Sequence, residues 1–145
     1  MFGILSKGTP VNMDDELVQP ALIFIDEFKE SLHLPLSYWN LIDYKKSWLK
    51  SLEEGLSSKT HSALAVSMYD PTQTNFIFTW VLYFEGNDVY VHNNVIFLDE
   101  CQGFTPESIN KFVEPRTTHD EDGIKISEWN TDLKSVLDFY HSINN

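Results

Sequence analysis

The stretch NFIFTWVLYFEGNDVYVHNNVIFLDE, from Asn75 to Glu100, decides the fold. It divides at Glu85-Gly86-Asn87-Asp88 into two strand-like halves. Before the turn, Phe76, Phe78, Trp80, Leu82 and Phe84 share one parity, and Ile77, Thr79, Val81 and Tyr83 the other. Alternate side chains of a strand face opposite ways, so the first set makes one apolar, aromatic face. The second set is nearly as apolar, which predicts cover on both faces and a central place in a sheet. After the turn, Val89, Val91, Val95 and Phe97 share a parity that Asn93 interrupts. Gly86, flanked by Asn and acids, supplies the positive backbone angle that a tight hairpin needs.

Upstream, Phe2 to Leu5 reads as a short strand, and Gly8, Pro10 and Asp14-Asp15-Glu16 as loop. After Pro20, ALIFIDEF is an apolar run, and beyond it Phe28, Glu30, Leu32 and Leu34 share a parity. This predicts a strand pair or one bent strand across 21–34, ended by Pro35. SYWNLIDYKKSWLKSLEEGL, residues 37–56, repeats Leu41, Tyr44, Trp48, Leu49, Leu52 and Leu56 at spacings of mostly three and four, the stripe of a helix. Asn40 or Ser37 suits its N-cap, Gly55 its left-handed C-cap, and Lys45, Lys46 and Lys50 its solvated side. SALAVSMY then alternates like a strand, and Asp70-Pro71 turns into the hairpin.

Downstream, Thr105-Pro106 opens a short helix that Pro115 closes. IKISEW, Ile124 to Trp129, reads as a strand, and Asp132 caps a last helix striped by Leu133, Val136, Leu137, Tyr140 and Ile143. Strands, helix, strands, helix make an α+β arrangement of antiparallel β-sheet with packed helices, in one domain over 1–145.

Charge narrows the function. Ten Lys and Arg stand against 22 acids, a net of −12. Residues 63–104 hold five acids and no Lys or Arg, and Arg116 is the chain's one arginine. Nucleic-acid binding needs cations against phosphate, so the chain is a poor candidate for it. A basic macromolecule would be drawn to it instead, although on charge alone the plainer reading is an acidic balance that keeps the protein soluble. Cys101 is alone, which fits a reducing cytoplasm and no internal disulfide. No apolar run reaches the ~20 residues of a membrane span, and no basic n-region precedes the apolar start, so neither a span nor a signal peptide is expected.

No constellation argues for catalysis or a cofactor. His119-Asp120-Glu121-Asp122 lacks the alternate oxygen ligands and terminal Glu of a calcium loop and reads as a solvated acidic loop without metal. His33, His61, His92 and His141 show no paired ligand spacing. His92 reads as a structural histidine, half buried against Asn93 and Asn94. Cys101 lies beside Asp99 and Glu100, which disfavour the thiolate a nucleophile requires. Phe78, Trp80, Tyr83 and Tyr90 could stack bases on a sheet, but without a basic groove they read as core.

LPLSYWNLIDYKKSWLKSLEEGL, SALAVSMYDPTQTNFIFTWVLYFEGNDVYVHNNVIFLDE and DGIKISEWNTDL together resemble an immunity-protein family of bacterial contact-dependent growth inhibition systems. The resemblance covers about 33–138 and rests on overall phrasing without a short diagnostic motif. It implies a small, cytoplasmic, non-catalytic protein that binds the C-terminal toxin domain of its effector, commonly a nuclease, and occludes the active site. Some members resemble the Whirly fold of single-strand binders, in which four-strand antiparallel units are each followed by a helix. The alternative function on such a scaffold is single-stranded nucleic-acid binding, which the charge opposes. Toxin contacts are expected at Glu85 and Asp88 of the turn, at Asp99 and Glu100 beyond the hairpin, and at Asp120, Glu121 and Asp122 of the acidic loop.

Overall fold

The hairpin forms as expected and anchors the second of two antiparallel sheets in a computed structural model that describes residues 1–144. The first sheet contains β1 (Phe2–Ser6), β2 (Val11–Met13), β3 (Glu16–Ile25) and β4 (Phe28–Pro35). Helix α1 (Leu41–Ser58) follows. The second sheet contains β5 (His61–Ala65), β6 (Phe76–Glu85), β7 (Asp88–Phe97) and β8 (Trp129–Asp132), in that spatial order. Helix α2 (Leu133–Ile143) comes last. Two four-strand units, each followed by a helix, match the order that the resemblance implied.

In the first sheet β3 is the hub. One of its edges pairs with β4, and β1 and β2 share the other, end to end. Two of the expectations for 1–20 fail here. The presumed loop contains β2 and the start of β3, because Asp14 and Asp15 both adopt positive φ and turn the chain in two residues. Pro20 does not precede the strand but lies within β3, at the gap where β1 has ended and β2 has not begun. A proline lacks the N–H that a partner there would need, so the gap accommodates it.

Phe2, Ile4, Ala21, Ile23, Ile25 and Leu34 face inward from the first sheet and meet α2 and the second sheet. Tyr44, Trp48 and Leu52 face inward from α1, which packs on β5. The Trp48 indole donates to Ala65 O at 2.8 Å, and the Tyr44 hydroxyl donates to Pro35 O at 2.7 Å while accepting from Met68 N at 3.0 Å. These bonds satisfy polar atoms that would otherwise oppose burial. Burial also pushes the Tyr44 phenol far above its ordinary range.

Of the two expected caps, Asn40 is the one that caps α1, in a reciprocal box with Asp43. Gly55 is not the C-cap; Lys59 is, at φ 59. Gly55 is instead the point of closest approach between α1 and β5, where an added Cβ would strike Ser62 Oγ and the His61 carbonyl. The segment Pro106–Phe112 is 3-10 helix with a non-helical break at Ser108, not a regular α-helix. Its Asn110 reaches both α1 and β5. The side chain plugs the open edge of β5, accepting from Ala63 N at 2.8 Å and from Ser51 Oγ at 3.0 Å.

The strand expected over Ile124–Trp129 forms only at its end, and β8 begins at Trp129. Ile124 is exposed, and Lys125 makes a single bridge to His119. Ile126 N donates to Thr118 O, so this segment closes a local hairpin, and Glu128 joins a polar cluster described below. Asp132 caps α2 as expected, accepting from Ser135 N at 2.8 Å. Val136 and Phe139 carry its burial, and Phe139 falls outside the expected stripe.

Candidate partner-binding surface

Four of the seven residues expected to meet a partner sit at the two ends of the β6–β7 hairpin. Glu85 and Asp88 pair across the two-residue turn, and both are exposed. Gly86 takes φ +63 there, which a side chain would resist. Asp99 and Glu100 lie in a one-turn 3-10 segment, Leu98–Glu100, directly after β7. Ten strand residues at ~3.3 Å each separate the two groups by ~30 Å, so one small patch cannot contain both.

The acidic loop is a small hairpin of its own. Asp120 Oδ1 accepts from Asp122 N and Ile124 N, both at 2.9 Å, so this carboxylate closes the loop. Glu121 and Asp122 are exposed on it. Among the described residues no three His, Cys, Asp or Glu side chains gather as metal ligands. The Cys101 thiol is pushed up, by burial first and then by Glu100 and Asp99.

Arg116 and Glu128 bracket that loop and tie it to the sheet. Arg116 reaches Glu128 Oε2 and Oε1 at 2.8 and 2.7 Å, lies 3.8 Å above the Tyr90 ring, and stands 3.9 Å from Glu85 Oε1. His92 meets Glu128 Oε2 at 2.7 Å instead of pairing with Asn93 or Asn94. It is buried, not half buried, and its hydrogen-bond partner comes from 36 residues downstream. The Glu128 carboxyl is held down to about 2, by the Arg116 hydrogen bonds foremost. The chain's one arginine is thereby engaged internally.

The aromatic face departs most from expectation. Trp80, Leu82 and Phe84 are buried, but Phe76, Phe78 and Phe97 are 42%, 48% and 51% exposed. Phe76 lies opposite Phe97, Phe78 lies opposite Val95, and the Phe76 and Phe78 rings are 5.3 Å apart. Phe78 is therefore surface, not core. Cover ends where Asn93 pairs with Trp80. The asparagine that broke the parity in the sequence was the signal for this boundary.

The comparisons with known proteins agree with one another. The family described as CdiI N-terminal domain matches residues 34–139. The immunity protein CdiI of Enterobacter cloacae subsp. cloacae is 74% identical over 145 residues, the whole of both chains. A solved chain of the CdiA-CT/CdiI toxin and immunity complex from Enterobacter cloacae superposes with a TM-score of 0.97 at 74% identity, covering 100% of this chain and 99% of that one. With its two four-strand units, its paired helices and this full-length likeness, the chain belongs to the CdiI family of immunity proteins.

Proposed function

We propose that this protein binds and neutralises the C-terminal toxin domain of its cognate CdiA effector. The observation that carries the reading is the full-length likeness to a CdiI chain solved in a toxin and immunity complex. The toxin domain is read as a basic nuclease, and inhibition as occlusion of its active-site cleft, because a −12 immunity protein complements a surface built to hold nucleic acid. The protein acts in the cytoplasm by binding alone, without catalysis. Glu85, Asp88, Asp99, Glu100, Asp120, Glu121 and Asp122 are the candidate contacts. The exposed phenylalanines have the form of a base-stacking platform, but β5 to β7 carry no Lys or Arg to hold phosphate, which opposes the single-strand reading.

Co-expression tests this. Cells producing the cognate toxin domain should grow only when this protein is also made, and their RNA and DNA should stay intact. Growth arrest in its presence would sink the proposal. Arrest by the toxin without loss of RNA or DNA integrity would remove the nuclease reading alone.

A further inference from the structure

The two sheets meet at an aromatic cluster. It joins Phe28 of β4, Trp80 of β6 and Trp129 of β8, with centroid separations of 4.6 Å for Phe28–Trp129, 5.4 Å for Trp80–Trp129 and 6.4 Å for Phe28–Trp80. Beyond that cluster the sheets part into a cleft of about 700 Å³. One wall is β4, where Glu30 occupies an inward-facing position yet stays exposed. The other is the uncovered half of β6 and β7, presenting Phe78, Val95 and Phe97. Phe76 extends this apolar patch at the rim.

We infer that this cleft is the docking surface for the toxin domain, and that the toxin fills it with an apolar side chain flanked by Lys or Arg. The inference rests on the proposed function and selects one end of the hairpin for it. Its warrant is complementarity. Among the described residues no Lys or Arg lines the cleft, Glu30 stands in its wall, and the exposed Asp99 and Glu100 follow its lining residue Phe97 in the chain. Exposed aromatic rings with acidic side chains nearby have the anatomy of a binding hot spot, where apolar anchors lose water and neighbouring charges steer approach. A second copy of this chain is a poor occupant, since two chains of net charge −12 repel each other. A polyanion is poorer still.

Binding of the purified chain to the purified cognate toxin domain, by titration calorimetry, tests the inference. Phe78→Ser and Phe97→Ser change exposed rings, and unchanged circular dichroism confirms that each variant folds. Each should weaken binding by ~30-fold or more, the scale of a hot-spot residue. Glu100→Lys should slow association. Ile42→Ser and Tyr38→Ser, at exposed apolar positions outside the cleft, should bind within ~3-fold of the parent. Parent-level binding by both Phe variants, with Glu85→Lys or Asp88→Lys weakening it instead, overturns the cleft while leaving toxin neutralisation intact. A homodimer of the parent that Phe78→Ser dissociates would also overturn it, assigning the face to a second copy. Absence of binding by the parent protein sinks the function and the cleft together.

Discussion

Arg116 grips Glu128 with both nitrogens of a parallel fork, at 2.8 and 2.7 Å, while His92 holds the same carboxylate from the sheet at 2.7 Å. The pair pins the two ends of the 116–128 loop together. Arg116→Ala leaves a half-buried carboxylate with one partner fewer and should cost about 1–3 kcal/mol in urea unfolding. Arg116→Lys should recover only part, because an ammonium cannot reproduce the planar fork.

The same carboxylate sets an acid limb. Its pKa falls from 4.5 to about 2 in the folded protein. A depressed carboxyl stabilises the fold above its unfolded pKa and loses that contribution as pH drops toward the folded value. The contribution should therefore be complete above pH ~4.5 and fade toward pH ~2. Glu128→Gln should flatten the stability profile across that window, which denaturation at a series of acidic pH values would reveal. An unchanged slope would contradict the assignment.

Gly55→Ala should destabilise the protein, against helix propensity, which favours Ala by about 1 kcal/mol. The new methyl would strike Ser62 Oγ and the His61 carbonyl, and lies 2.8 Å from His61 C, so α1 must lift off β5. A net cost of about 1–3 kcal/mol is expected from overpacking. A raised melting temperature would show that the contact yields freely.

Asn110→Ala should open the edge of β5. It removes the acceptor for Ala63 N and Ser51 Oγ and the donor to Ser51 O. A loss of about 1–3 kcal/mol and faster hydrogen exchange at the Ala63 amide are the expected readouts.

Toxin association should be salt-sensitive. Raising NaCl from ~50 to ~500 mM shortens the reach of the −12 charge, so the association rate should fall while the dissociation rate changes less. A rate independent of salt would remove steering from the mechanism.

The hairpin, the caps at Asn40 and Asp132, and the helical stripes were legible because each is a local pattern enforced by local sterics. What escaped was non-local. Gly55 had the residue type of a C-cap, and only the approach of β5 shows that it serves packing. IKISEW had strand composition, but Glu128 answers to Arg116 and His92. Phe78 and Phe97 had core composition, and only the divergence of the two sheets leaves them uncovered. Among the expected site residues, periodicity could not reveal that Glu85 and Asp88 lie a strand's length from Asp99 and Glu100.

Phe2 packs edge-on against Phe139, with ring centroids 5.5 Å apart, although the two stand near opposite ends of the chain. A ribosome adds ~5–20 residues per second, so the partner of the first strand emerges on the order of ten seconds after it. Until then the part of the first sheet that α2 covers stays bare. The fold is sealed by α2, and a chain cut before that helix should therefore be both unprotective and prone to aggregate.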